Sequence, residues 1–214
     1  MDALILAAGR GTRMGEIEKP KCLLEFDGTS IIKYQIKCFK NLGINRIFVV
    51  TGFHSDLLHS HLHDEVIFLH NDDFICIYGD LLFHKIILEN LLLDKNDVCM
   101  IIEKNIRDET MKVKLENNLI IEVNKKISKE NADGNFIGIA KFSKKIVPSL
   151  FKEISKIIEN KNTDSYYTSA IESMINNGQK VHYVATNNLQ WMDIDEPNEF
   201  DDAKKIFKQM ETEI

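Results

Sequence analysis

Residues 4–13 read LILAAGRGTR, and the basic stretch KPK follows at residues 19–21. The apolar start predicts a short buried strand over residues 3–7, with a glycine-rich loop at its carboxyl end. Gly9 and Gly11 have no Cβ, so their backbone N–H groups can point inward and bind an anion. Because open α/β sheets bind ligands at the carboxyl ends of their strands, we expect a phosphate site at this loop.

Two basic side chains complete this candidate phosphate site. Arg13 offers a planar fork of N–H donors and Lys21 a compact point charge, and both suit phosphate oxygens. The loop differs from the G-x-G-x-x-G pattern of dinucleotide-binding folds, and it is not a Walker P-loop, because no G-K-[ST] follows. Taken alone, it could also be a plain glycine turn beside solvated basic residues.

The rest of the chain predicts the fold class. Strands and helices alternate through the first half, which is typical of a parallel sheet covered by helices. A helix over 31–42 is expected to be capped by Ser30 and ended by Gly43. The stretches MKVKLE and LIIEVN, joined by Asn117-Asn118, then predict an antiparallel hairpin. We therefore expect one α/β domain over residues 1–214, a Rossmann-like three-layer sandwich with a mostly parallel central sheet and an antiparallel insertion.

Composition narrows the class of protein. The 214 residues are 44% hydrophobic and carry a net charge of −6, which is ordinary for a globular protein and argues against general nucleic-acid binding. No apolar run reaches the about 18 residues of a membrane span, and the first residues do not read as a signal peptide. The four cysteines are far apart with no C-x-x-C pair, so we expect reduced thiols and a cytoplasmic protein.

Acidic residues supply a candidate metal site. Asp80 follows the apolar strand FICIYG, whereas Asp193 and Asp195 flank Ile194, so both would point to one face of an extended segment. Carboxylate oxygens suit Mg²⁺, which shares its coordination with substrate phosphates and water. Taken alone, Asp80 is better explained as the N-cap of the following helix, and Asp195 could cap the helix that starts at Pro197.

The motifs taken together are more specific than any one of them. LILAAGRGTRM followed by KPKCLLEF resembles the signature of the nucleotidyltransferase (nucleoside-diphosphate-sugar pyrophosphorylase-like) family, which is L-x-A-G-x-G-x-R with a downstream P-K. Further along the chain, IYGD resembles the metal-binding strand end of that family, VNKKI its acceptor-lysine strand, and WMDID its second acidic motif. The matches stand in the order of the family and extend over nearly the whole chain.

This resemblance implies nucleotidyl transfer, in which an acceptor phosphate or phosphonate oxygen attacks the α-phosphorus of a nucleoside triphosphate and pyrophosphate leaves. It also implies Mg²⁺ as the cofactor and gives each motif a role. The implied nucleotide-binding residues are Leu6, Ala7, Ala8, Gly9, Gly11, Arg13 and Lys21, of which Arg13 and Lys21 are the catalytic ones. The implied metal ligands are Asp80, Asp195 and Asp193, and the implied acceptor-binding residues are Lys125 and Tyr166.

The stretch that resembles the acceptor-lysine strand narrows the class of acceptor substrate. The sugar branch of the family usually has E-K-P there, whereas this chain has Asn124-Lys125-Lys126. The resemblance therefore favours the small cytidylyltransferases for phosphocholine, aminoethylphosphonate or inositol phosphate, with CTP as the nucleotide. The Tyr166 ring could then receive a quaternary ammonium group. A sugar-1-phosphate enzyme, a cofactor guanylyltransferase and a non-catalytic nucleotide-binding regulator stay open as alternatives, and so does a homodimer.

One junction has too few residues for the predicted topology. The strands expected at 65–70 and 74–79 are separated by only three residues, whereas parallel neighbours need a crossover of about a dozen. Members of the family carry a base-recognising stretch at this place. We therefore expect two parallel strands and a flexible segment that is missing between Asn71 and Asp72. A natural deletion and an antiparallel hairpin are the alternatives.

Overall fold

The computed structural model describes residues 2–7, 19–51, 54–62, 73–108, 110–160 and 166–211. Their strands are β1 (Asp2–Ala7), β2 (Glu25–Phe26), β3 (Thr29–Ser30), β4 (Arg46–Thr51), β5 (Phe74–Tyr78), β6 (Leu81–Phe83), β7 (Val98–Glu103), β8 (Met111–Glu116), β9 (Leu119–Asn124), β10 (Gly134–Phe142), β11 (His182–Ala185) and β12 (Trp191–Asp193). Their helices are α1 (Ile31–Asn41), α2 (Ser55–Leu62), α3 (Lys85–Leu93), α4 (Val147–Glu159), α5 (Thr168–Asn176) and α6 (Phe200–Glu211). The chain divides into two compact units, the first made of Met1–His70, Phe74–Glu89 and Leu189–Ile214, and the second of Asn71–Asp73 and Asn90–Asn188.

The first unit contains three parallel strands, with β1 between β4 and β5. Beside them, β12 pairs with β6 in an antiparallel direction. The predicted limits of α1 are confirmed, because the Ser30 side chain accepts a hydrogen bond from the backbone N–H of Lys33 and Gly43 follows the helix with φ of 75°. This positive φ is one that glycine adopts without a steric penalty, which explains why the helix ends there.

Aromatic side chains fill the core of the first unit. The Tyr34 ring of α1 lies edge-on to Phe83 of β6 and to Phe207 of α6, with ring centroids 6.3 and 5.3 Å apart. Phe26 packs against Phe207 at 5.4 Å and against Phe200 at 5.1 Å. These rings connect β2, α1 and β6 to α6, because α6 supplies two of the five aromatic residues.

The second unit is built around β7, which pairs with β11 in a parallel and with β10 in an antiparallel direction. The sheet continues through β8 to β9 in antiparallel pairs. Asn117 and Asn118 form the turn between them with φ of 51° and 61°, so the predicted hairpin is confirmed. On the other side of β9, Ile120 donates its backbone N–H to the carbonyl of Val181 at 2.8 Å, just before β11.

The predicted α/β class, with a mostly parallel sheet and an antiparallel insertion, is confirmed by these strand directions. The four cysteines are free, as expected, and all four are buried. No helix in the described ranges is long and apolar enough to span a bilayer. The strand expected at 65–70, the junction between Asn71 and Asp72, and the loop residues Ala8, Gly9, Gly11 and Arg13 lie outside the described residues. Those predictions, and the assignment of a single domain, stay predictions.

Candidate active site

Asp80 lies in the tight turn between β5 and β6, at the carboxyl end of a strand that pairs with β1. The preceding residue, Gly79, donates its backbone N–H to the carbonyl of Leu6 at 2.8 Å. A Cβ at position 79 would stand 2.8 Å from that same carbonyl oxygen, which is closer than real Cβ atoms come, and 3.0 Å from the Cβ of Ala7, which is unusually tight. Glycine is therefore required here, and this close contact brings Leu6 and Ala7, both predicted to bind nucleotide, next to the Asp80 turn.

The second acidic motif, WMDID at residues 191–195, contains β12 and lies next to the Gly79–Asp80 turn. In the β6–β12 pair, Asp193 stands opposite Leu81, and the backbone N–H of Ile194 donates to the carbonyl of Asp80 at 3.1 Å. Asp195 follows directly, and its own N–H donates to Glu199 Oε2 at 2.8 Å. The segments around Asp80 and Ile194, which are remote in the sequence, are thus hydrogen-bonded to each other.

Lys21 stands between the two carboxylates. It opens a short 3-10 turn over Lys21–Leu23, directly after Pro20, and only 10% of its side chain is exposed. Its Nζ lies 2.7 Å from Asp195 Oδ1 and 3.9 Å from Asp80 Oδ2. A buried ammonium group needs such anionic partners, because an unpaired charge in this position would be costly.

The charges around Asp80 alter its titration. Burial of the carboxyl raises the pKa of Asp80 to about 6, although 34% of the side chain stays exposed. Lys21 acts in the opposite direction and lowers this pKa, whereas the neighbouring carboxylates of Asp195 and Asp193 contribute to the increase. We call Asp80, Asp193 and Asp195 the carboxylate cluster. Among the described residues, Lys21 is the cation that acts on Asp80 against the other two carboxylates, so an additional cation would relieve the repulsion between the three.

The carboxylates of this site suit a hard cation that takes only a few ligands from the protein. Among the described residues no group of three or more His, Cys, Asp or Glu is arranged to hold a metal ion. Asp80 and Asp195 share Lys21, and two carboxylates fit Mg²⁺, which commonly takes one or two of them and completes its coordination with water and substrate phosphates. The assignment of Asp80, Asp195 and Asp193 as metal ligands stays a prediction.

The neighbouring thiol is not a nucleophile. Cys22, next to Lys21 in the sequence, is 3% exposed, and burial raises its pKa to about 12, with a further contribution from Asp80. A thiol with such a pKa stays protonated near neutral pH, and the protonated form is unreactive. The site therefore has no cysteine suited to covalent catalysis among its described residues.

The two predicted acceptor residues come together in the second unit. Lys125 follows β9 and Tyr166 precedes α5, and Lys125 Nζ donates a hydrogen bond to the Tyr166 hydroxyl at 2.8 Å. The same Nζ stands 4.3 Å from the centre of the Tyr166 ring. Both residues are exposed, with 48% of Tyr166 accessible. This pair, which we call the Lys125–Tyr166 pair, presents one ammonium group and one phenol.

Sequence reasoning missed two residues that contact the backbone of the carboxylate cluster. Gln35 of α1 donates hydrogen bonds to the carbonyls of Tyr78 and Leu81, on either side of Asp80. Glu199 accepts the N–H of Asp195, as described above. The signals were present: Gln35 is a polar residue on the apolar face of a predicted helix, and Glu199 stands at capping-box distance from Glu196.

The sequence of this chain is similar to those of known nucleotidyltransferases. Residues 3–79 match the MobA-like NTP transferase domain. The chain is 27% identical over 246 residues to the CTP:phosphoglutamine cytidylyltransferase of Campylobacter jejuni, covering 91% of this chain and 96% of that protein. It is 23% identical over 246 residues to the UTP–glucose-1-phosphate uridylyltransferase of Haloferax volcanii, covering 100% of this chain and 99% of that protein. Both alignments are longer than the 214 residues of this chain, so both include positions at which this chain has no residue.

A solved structure supports the same fold. The inositol-1-phosphate CTP transferase from T. maritima superposes with a TM-score of 0.77 at 19% identity, covering 98% of this chain and 95% of that one. At this level of identity the likeness concerns the fold, and it confirms the predicted α/β architecture.

Proposed function

We propose that this chain, which belongs to the nucleotidyltransferase family, transfers CMP from CTP to a small phosphorylated or phosphonate acceptor and releases pyrophosphate. The observation that carries the proposal is the position of Lys21, whose ammonium lies between Asp80 and Asp195 beside the carboxyl ends of β1 and β5. An open α/β sheet binds its ligands at such strand ends. The choice of CTP rests on the Campylobacter relative and on the acceptor motif of this sequence.

Lys21 supplies a fixed charge for the reaction. Nucleotidyl transfer needs charge neutralisation and alignment more than covalent help, because negative charge is spread over the phosphate oxygens in the transition state. Lys21 Nζ is already held by the two carboxylates, so it does not have to be ordered when the nucleotide binds. We infer that it contacts the α-phosphate and the attacking acceptor oxygen.

The remaining nucleotide contacts stay as the sequence predicts them. Leu6 and Ala7 end β1, and Ala8, Gly9 and Gly11 would offer backbone N–H groups to the triphosphate, with Arg13 as a second catalytic cation. Asp80 and Asp195 would hold Mg²⁺, with Asp193 close by. Bound Mg²⁺ would offset charge on the triphosphate and on the departing pyrophosphate.

The Lys125–Tyr166 pair favours an acceptor without a quaternary ammonium group. The ammonium of Lys125 already lies over the Tyr166 ring, so a choline headgroup would have to displace it to use the same face. The pair instead offers an ammonium and a hydroxyl to an acceptor phosphate or phosphonate. We therefore place phosphoglutamine, the substrate in the name of the Campylobacter relative, before phosphocholine among acceptors to test.

A pyrophosphate-release assay tests the proposal. Each of the four nucleoside triphosphates is combined with phosphoglutamine, aminoethylphosphonate, inositol phosphate, phosphocholine and glucose 1-phosphate. We expect the highest kcat/KM with CTP and an acceptor that lacks a quaternary ammonium group.

Other outcomes identify the alternatives. Preference for UTP with glucose 1-phosphate would favour a sugar enzyme, which the resemblance to the Haloferax uridylyltransferase makes the second candidate. Nucleotide binding without pyrophosphate release from any combination would indicate a regulator.

A further inference from the structure

We propose that Gln35 is a positioning residue that holds the Asp80 turn in the geometry needed for metal binding. The inference rests on the proposed function, because it takes Asp80 as a metal ligand. Gln35 lies in α1 and is fully buried. Its Nε2 donates to the carbonyl of Leu81 at 2.7 Å and to that of Tyr78 at 3.2 Å. Both hydrogens of the side-chain amide are thus used on the backbone that flanks Gly79 and Asp80.

The carbonyl oxygen of the Gln35 side chain indicates that packing alone does not explain why a glutamine stands at this position. The Oε1 of Gln35 is buried and has no hydrogen-bond partner among the described residues. A buried acceptor without a partner lowers stability, whereas an apolar side chain would fill the space without that cost. Neighbouring positions on this face, Ile32, Ile36 and Phe39, are buried apolar residues of that kind. The two donated hydrogen bonds are therefore what distinguishes Gln35.

Two backbone hydrogen bonds also hold the turn in the part of the chain that the structure describes. Gly79 donates to Leu6 and the carbonyl of Asp80 accepts from Ile194, so each of these bonds connects the turn to one neighbouring strand segment. Gln35 binds the turn from the helix side and joins its two ends. A metal ligand must be held within about 0.5 Å of its productive position by such supporting contacts. Loss of the Gln35 donors would let the Asp80 carboxylate shift relative to Lys21 and Asp195.

Glu199, the other residue that contacts the cluster backbone, does not carry the same inference. It accepts the N–H groups of Asp195 and Glu196, both at 2.8 Å, and forms a capping box with Glu196 at the start of the last helical segment. This role in starting the helix explains both bonds. Gln35 has no such local explanation, because its partners belong to another element.

The test uses Gln35→Met, which keeps the length of the side chain and removes both donors. Tyr34→Phe is the matched control: it also removes a buried hydrogen bond from α1, the one to the carbonyl of Phe83 at 3.0 Å, beyond the Asp80 turn. Mn²⁺ binding to each protein is measured by electron paramagnetic resonance with the metal alone. We expect Gln35→Met to weaken Mn²⁺ binding about tenfold, the usual scale for losing a supporting partner of a ligand, and Tyr34→Phe to leave it unchanged.

Amide hydrogen exchange gives a second readout that does not depend on metal or activity. Gln35→Met should speed exchange of the Gly79 and Ile194 amides, and Tyr34→Phe should not. If Gln35→Met does not fold, Gln35→Asn, whose amide is one methylene too short to reach both carbonyls, takes its place.

Three outcomes would overturn the inference. They are unchanged Mn²⁺ binding in the Gln35 variant, equal weakening of Mn²⁺ binding in the control, and a wild-type protein that binds no Mn²⁺. An inactive wild-type protein that binds Mn²⁺ in a Gln35-dependent way would instead refute only the proposed function.

Discussion

Lys21 in the first unit and Lys125 in the second unit are both predicted to bind phosphate, yet their surroundings differ. Lys21 is 10% exposed and is paired with two carboxylates, whereas Lys125 is exposed and contacts a neutral tyrosine. The backbone around the partners of Lys21 is itself fixed by hydrogen bonds from Gln35 and Ile194. The difference separates two tasks: a preorganised charge suits the chemical step, which needs fixed geometry, and an exposed, adjustable charge suits substrate choice.

The largest effect is expected when the carboxylate cluster loses a ligand. Asp80→Asn and Asp195→Asn replace an anionic oxygen ligand by a neutral amide, which is poorer for Mg²⁺. Losing several kcal/mol of charge stabilisation corresponds to about a thousandfold in kcat, and EDTA should stop the wild-type enzyme. The measurement is steady-state pyrophosphate release as Mg²⁺ is varied. Asp193→Asn is the matched comparison, and an equal loss there would make Asp193 a ligand.

Lys21→Ala should have the next largest effect. Removal of one preorganised charge lowers kcat by about a hundredfold. The KM for the acceptor should change little if the acceptor phosphate is bound mainly by Lys125. Stopped-flow pyrophosphate release at saturating substrates measures this loss. Near-normal turnover in Lys21→Ala would remove the distinction between a fixed catalytic lysine and an adjustable one.

Lys125→Ala should affect the acceptor alone. A charge-assisted hydrogen bond contributes roughly 1.5–3 kcal/mol, so the kcat/KM for the acceptor should fall by about tenfold to a hundredfold. The KM for CTP should stay near that of the wild type. Lys126→Ala is the control, because Lys126 is the next residue and is also exposed. Equal weakening of CTP and acceptor would mean that Lys125 does not belong to the acceptor side.

The smallest effect concerns pH. The pKa of Asp80 is raised to about 6, so below that pH the carboxyl gains a proton and loses its capacity to bind Mg²⁺. At limiting Mg²⁺ we expect kcat/KM at pH 5.5 to be about fourfold lower than at pH 7. Higher Mg²⁺ should move the midpoint to lower pH, because metal and proton compete for the same oxygen. A pH profile that does not respond to Mg²⁺ would separate this titration from metal binding.

The same raised pKa has a consequence for stability. For an acid whose pKa is higher in the folded than in the unfolded protein, the folded state binds more protons between the two values. Stability therefore falls as pH rises from about 4 to about 6 and stays lower above that range. Asp80→Asn should then raise the melting temperature at pH 7 while it removes activity, as measured by calorimetry.

Local patterns in the sequence predicted local structure well. Ser30 and Gly43 marked the ends of α1, and Asn117-Asn118 marked the hairpin, because each of these depends on a few neighbouring residues. The position of Asp80 at the end of a buried strand was predicted for the same reason.

Contacts between remote segments could not be predicted from the residues alone. The pairing of β12 with β6, which brings Asp195 to Lys21, involves short strands with no periodic signal of their own. The bonds from Gln35 to Tyr78 and Leu81 depend on how a helix packs on a turn. The position of Lys125 over the Tyr166 ring likewise follows from folding, and our proposal for the acceptor depends on it.

The division of the first unit into three separate stretches of sequence bears on how the protein is made. The glycine-rich loop is synthesised before Gly79 and Asp80, which must follow before their turn can contact β1. Asp195 belongs to the last stretch, after the whole of the second unit. On a ribosome the nascent chain would therefore expose Lys21 without its closest carboxylate until the second unit has been synthesised. The carboxylate cluster can form only after the second unit has been synthesised, so a chain that stops before Asp195 should be unable to consume nucleotide.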